Sequence, residues 1–66
     1  MKVIYDQEVD VLRIIFRDAQ VEESDEEKPG LILDYDREGN IVGLELLNAS
    51  QRTENPAAIK FRRIGE

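Results

Sequence analysis

Apolar and polar positions alternate in short runs along this chain, and turn-forming residues bound each run. Lys2-Val3-Ile4-Tyr5 is β-branched and aromatic, and Val11-Leu12-Arg13-Ile14-Ile15-Phe16 has the same character. Between them lies a polar stretch with Asp6 and Asp10 at its ends, and aspartate side chains bond nearby backbone amides and so favour turns. The pattern predicts a hairpin of strands 2–5 and 10–16. In the second strand Leu12, Ile14 and Phe16 share one face, and Val11, Arg13 and Ile15 share the other.

Asp18-Ala19-Gln20 breaks the apolar run. Residues 21–28 (VEESDEEK) then carry one apolar residue and five acids. A helix there would have no apolar stripe to bury. An edge strand fits better, because charges along an edge hinder pairing with stray chains; a mobile loop is the alternative. Pro29-Gly30 marks a turn. Residues 31–36 (LILDYD) and 41–47 (IVGLELL) read as two more strands. Asp36 suits the first position of a type I turn, and Gly39 supplies the left-handed residue after it. That turn sets Tyr35 opposite Ile41, Leu33 opposite Gly43 and Ile32 opposite Leu44. Gly43 inside a strand points to a bulge or to close approach of a large neighbour.

The end of the chain supports two readings. Asn55-Pro56 can start a helix that places Ala57, Phe61 and Ile64 on one face. Alternation of Ile59 and Phe61 instead suggests a further strand with Lys60 and Arg62 outward, and the β-branched and aromatic content favours it. The expected fold is mainly β, or small α+β. It is a single domain over residues 1–66, with an antiparallel β-meander of about five strands over 1–48 and a tail over 49–66 that holds a short strand or helix.

Both faces of the central hairpin are apolar. Leu31, Leu33, Tyr35, Ile41 and Leu47 are assigned to one face, and Ile32, Val42, Leu44 and Leu46 to the other. A sheet with one wet face is polar on that side. A chain of 66 residues has little left to cover a second face. The expectation is a homo-oligomer, most simply a dimer, or a complex with a different protein. Leu31, Leu33, Tyr35, Ile41, Leu47, Phe61 and Ile64 are the candidate interface residues.

Composition narrows the chemistry. Cysteine is absent, which removes disulfides and thiolate metal sites. Histidine is also absent, and with it the commonest general base and transition-metal ligand. The apolar fraction of 41% is too high for a disordered chain. No apolar run approaches the roughly 20 residues that span a bilayer, and the N-terminus lacks a signal-peptide core, so a cytoplasmic protein is expected. The net charge of −6 argues against nucleic acid as the main partner and suits a basic protein. Lys60, Arg62 and Arg63 make the end of the chain basic, and pairing with the acidic body accounts for them better than RNA does.

One stretch matches a chemical motif. In DYDREGNIVGLE, residues 34–45, Asp34, Asp36, Glu38, Gly39, Ile41 and Glu45 occupy positions 1, 3, 5, 6, 8 and 12 of an EF-hand loop. The flanks oppose that reading. An EF-hand loop sits between helices, whereas Pro29 would break the entering helix and Val42-Gly43-Leu44 continues a strand. A hairpin turn is the better account, with a weak divalent-cation site at residues 34–38 as the alternative. Asp6 and Asp10 form a formal carboxylate pair, but each flanks a strand end as a turn cap. Ser24, Ser50 and Thr53 have no histidine to activate them. Asn48-Ala49-Ser50 matches a glycosylation sequon by chance. No cofactor, no metal and no enzymatic activity are expected.

YDQEVDVLRIIF followed by PGLILDYDREGNIVGLELLNAS resembles the small prokaryotic domain-of-unknown-function family 2283. That pattern runs Tyr-Asp, an acidic turn, Asp and an apolar strand. It then continues through Pro-Gly, Asp-x-Asp-x-x-Gly-Asn-Ile-Val-Gly and a strand ending in Ala-Ser. The resemblance implies a compact β-rich domain with no established activity. Some members are encoded beside small ribonuclease-like toxins, and an antitoxin role is suggested for the family. It carries over no catalytic residue.

Overall fold

The computed structural model describes residues 1–65; residue 66, the last of the expected tail, lies outside them. Two of the richest runs of strand formers become adjacent inner strands. β1 (Lys2–Asp6) and β2 (Val11–Ile15) form the first hairpin. β3 (Glu23–Lys28), β4 (Leu31–Tyr35) and β5 (Ile41–Leu47) form a meander. β2 then pairs with β5, so one antiparallel sheet runs β1-β2-β5-β4-β3. The five-stranded antiparallel sheet is the expected one, but consecutive strands β2 and β3 are not neighbours. Residues 16–22 carry the chain along one end of the sheet. Phe16 N–H donates to the Val42 carbonyl at 2.8 Å and Glu22 N–H to the Tyr35 carbonyl at 2.8 Å on the way.

Residues 23–28 take the edge, exposed along their whole length, as charge patterning predicts. A single helical turn, α1 (Ala49–Arg52), follows β5. Ile59 and Phe61 do not form a further strand, and no helix starts at Asn55. The reason is positional. β5 is an inner strand, so the chain leaving it meets no free edge and turns over a face instead. Leu12 and residues 53–56 and 58–60 line one groove there.

The β4–β5 register departs from the expected one. Tyr35 faces Ile41, but Asp34 faces Gly43, Leu33 faces Leu44 and Ile32 faces Glu45. Val42 is the extra residue of a bulge, and one extra residue moves all later partners by one position. Asp34 is thereby set across from Gly43, where it is 5% exposed. A Cβ on Gly43 would lie 3.0 Å from the Ile14 carbonyl oxygen and 3.3 Å from Asp34 Oδ2. The strand glycine thus marks both a bulge and a close approach, and the neighbour is a carboxylate and a backbone carbonyl.

Cross-strand partners share a face, so the registers sort the side chains. Val3, Tyr5, Leu12, Ile14, Leu31, Leu33, Tyr35, Leu44 and Leu46 lie on the face that α1 and the tail partly cover. Ile4, Val11, Ile15, Ile32 and Leu47 lie on the other, with Arg13 directly opposite Glu45 and Asp34 opposite Gly43. Leu47 is therefore not on the face of Leu31 and Leu33, since it pairs with Val11. Leu44 and Leu46 join Leu31 and Leu33, and Ile32 is the one on the opposite side.

Little of this becomes a core. Among the described residues the buried apolar side chains are Val42, Ala49 and Pro56. The radius of gyration is 12.8 Å, against about 11 Å for a compact chain of this length, and the smallest extent is 19 Å. The molecule is a thin slab. Replacing Gly43 by alanine should lower the unfolding free energy by about 1–3 kcal/mol, because a backbone carbonyl has to yield. Urea denaturation checks this, and an unchanged midpoint would mean that the strand relaxes freely.

Candidate functional site

The polar residue that joins the most distant parts of the chain is Asp10, at the end of the β1–β2 turn. Its φ of 57° is left-handed, a region that aspartate visits more readily than most residues. Oδ1 accepts the Tyr5 hydroxyl at 2.6 Å and the Ser50 N–H at 2.9 Å. Oδ2 accepts the Ser50 hydroxyl at 2.6 Å, and the Asp10 carbonyl accepts the Ala49 N–H at 3.0 Å. The first amides of a helix have no partner within it. Asn48, also left-handed at φ 54°, makes no side-chain cap. Asp10 supplies that cap from 40 residues away.

The other end of α1 is fixed as well. Thr53 N–H and its hydroxyl both donate to the Ala49 carbonyl, at 2.9 and 2.8 Å. Arg52 lays its guanidinium over Gly30, where a Cβ would lie 2.7 Å from Nη2. Gly30 has φ 82°, as the second central residue of a type II turn requires. Its carbonyl accepts Leu47 N–H at 2.8 Å. The helical turn thus bridges the β1–β2 turn and the Pro29-Gly30 turn at the same end of the sheet.

At the opposite end the chelate-like stretch is a hairpin. Asp36 Oδ1 accepts Glu38 N–H and Asn40 N–H, each at 2.9 Å, and Oδ2 accepts the Asn40 amide at 3.3 Å. Gly39, at φ 82°, donates to the Asp36 carbonyl at 3.1 Å. These bonds, the Asn40 backbone first, hold the Asp36 carboxyl below its ordinary range. Asp34 points away into the sheet and accepts the Ser24 hydroxyl at 2.6 Å. Glu45 sits in β5 opposite Ile32. Asp34, Asp36 and Glu38 do not converge, and among the described residues no group of three or more acids forms a metal-sized cluster.

Asp6 accepts the Glu8 N–H at 3.1 Å as a turn cap, separate from the bonds of Asp10. Ser50, considered from sequence only as a nucleophile or sequon residue, is a structural donor to Asp10. The signal for that pairing was the joint occurrence of Tyr5, Asp10 and Asn48-Ala49-Ser50, although spacing alone does not say that they meet.

A surface feature remains at the β3 side. The Tyr35 hydroxyl donates to Glu27 Oε1 at 2.8 Å. That bond first, then burial and the charges of Glu27, Asp25 and Glu23, push the Tyr35 hydroxyl up. Leu33, Tyr35 and Ile41 lie beside this acidic rim, with Ile41 46% exposed. Of the candidate interface residues, Leu31, Leu33, Tyr35 and Ile41 share this face, Leu47 is on the other, and Phe61 and Ile64 stand out from the tail at 84% and 81% exposure.

These features define a small antiparallel one-sheet domain whose C-terminal helical turn latches two hairpin turns. The chain belongs to the family described as "Protein of unknown function (DUF2283)", whose sequence profile matches residues 2–50 and so ends on Ser50. No curated protein and no solved structure matches it. Among the described residues no helix is long and apolar enough to cross a membrane.

The latch has a pH dependence with a definite sign. Asp10 is held below the ordinary carboxylate range by the Ser50 hydroxyl first and the Tyr5 hydroxyl second. Its stabilisation is present above about pH 4 and is lost as pH falls through the lowered value. Tyr5 is pushed up by the same bond, so its share is present below about pH 10 and is lost as pH rises beyond. Ser50→Ala should therefore unfold at lower urea than wild type at pH 7, with the gap narrowing below about pH 4. A gap independent of pH would show that Asp10 does not act through Ser50.

Proposed function

We propose that this chain is a protein-interaction module and not an enzyme, one that self-associates and presents an apolar patch with an acidic rim to a basic protein. The observation that carries this reading is the scarcity of cover. One sheet has two large faces, yet among the described residues the buried apolar side chains are few: Val42, Ala49 and Pro56. Val3, Ile4, Val9, Phe16, Ile41, Ile59, Phe61 and Ile64 are all exposed by more than a third. Apolar area of that extent is what a partner chain would cover.

Leu33, Tyr35 and Ile41, flanked by Glu23, Asp25 and Glu27, supply the chemistry for the second partner. Apolar contact gives affinity there, and the acids select a basic surface and speed encounter. The antitoxin role suggested for the family names one such partner, a small basic toxin. The placement of Asp6 and Asp10 favours binding over catalysis, since Asp6 serves a backbone donor and Asp10 serves backbone and side-chain donors of this chain.

Two measurements test the reading. Light scattering at micromolar concentration should give a mass above that of one chain. Co-expression with a basic protein encoded beside it should yield a complex that weakens at high salt. Reversing Asp25 and Glu27 to lysine should weaken that complex about tenfold or more. A stable monomer that captures no basic partner would overturn the proposal.

A further inference from the structure

The sheet has two edges, β1 and β3, and they differ in kind. β3 carries Glu23, Asp25, Glu26 and Glu27, and its pairing is broken by a bulge between Glu26 and Lys28. Antiparallel pairing of two β3 strands would set acid against acid. Charge and irregularity are the usual protections of an edge. β1 has neither. It pairs with β2 without a register break, from Lys2 with Ile15 to Asp6 with Val11. Val3 and Ile4 are 42% and 39% exposed.

The ladder fixes which backbone groups of β1 are open. Phe16 N–H donates to Val42, so by alternation Leu12, Ile14 and Phe16 give their backbone groups to β5. Val11, Arg13 and Ile15 then turn theirs toward β1, where their partners are Asp6, Ile4 and Lys2. Val3 and Tyr5 are left with N–H and C=O directed to the free edge. A two-fold axis through Ile4 sets two such edges antiparallel. Lys2 then faces Asp6 of the second copy, Val3 faces its Tyr5 and Ile4 faces Ile4. The charges are opposite at both ends, and the apolar residues meet in the middle. A parallel arrangement would instead oppose Lys2 to Lys2 and Asp6 to Asp6.

We propose that two copies of this chain join through β1, antiparallel about Ile4, into one continuous sheet. This rests on the reading that the chain self-associates, and it names the seam. It leaves the patch at Leu33, Tyr35 and Ile41, on the far side of β5, free for the basic partner.

Charge reversal tests the seam. Lys2→Asp gives an edge with two acids, and Asp6→Lys gives an edge with two bases. Each variant alone should remain folded by circular dichroism and dissociate about tenfold or more readily than wild type, since like charges oppose across the strands. An equimolar mixture should re-form a dimer, because each edge complements the other. Amide exchange gives a readout that needs no variant. The Val3 and Tyr5 amides should be protected in the wild-type dimer and lose protection on dilution. Wild type and both variants associating equally would overturn the β1 seam while leaving self-association standing. So would a mixture that stays monomeric, or unprotected Val3 and Tyr5 amides in a dimeric sample. A wild type that is monomeric throughout would remove self-association itself, and the seam with it.

Discussion

The carboxylate of Asp10 closes the N-terminal end of α1, and the guanidinium of Arg52 rests on Gly30 at the other. A four-residue helix has no stability of its own in water. It persists here because two hairpin turns at one end of the sheet hold it. In return it ties the outer β1–β2 hairpin to the β3–β4 turn, which are otherwise joined only through β5. The tail beyond Thr53 is aimed over one face by the same arrangement. With a single turn of helix as the fixed cover, most of both faces stays near solvent, and the contact chemistry of the chain follows from that.

Charge then sorts the surface left open. Acids gather on β3, where they protect the backbone edge and surround Tyr35. On the opposite face Arg13 stands beside Glu45, and Asp34 withdraws under Ser24. These pairs keep that face mixed in character, so its apolar residues Ile4, Val11, Ile15 and Leu47 form no continuous band.

The strands themselves were legible because alternation and β-branched content mark them locally, as in VLRII and LILDY. The 36–40 turn was legible for the same reason, since Asp36 and Gly39 fulfil a geometric requirement within five residues. The adjacency of β2 and β5 was not, because it depends on residues 16–22 crossing the sheet end, and no local pattern encodes that path. Gly43 signalled a bulge or a close approach, but not that Val42 is the extra residue, so the true partners of Leu33 and Ile32 stayed hidden. The site was read in pieces. Asp10 was expected to cap its own turn but caps α1 instead, and Ser50 carries no mark that it meets a residue so distant in sequence. Ile59 and Phe61 had strand composition without an edge to join.

The pairing of β2 with β5 also orders events in time. During synthesis the first hairpin leaves the ribosome with no lasting neighbour, and an isolated two-stranded hairpin is marginal in water. Its partner strand ends at Leu47, and the donor for its turn is Ser50. The contacts that fix the first hairpin are therefore among the most distant in the chain, and such contacts slow folding. Until they form, Val3 and Ile4 belong to an unsupported strand, and this nascent chain depends on prompt completion of its own last third.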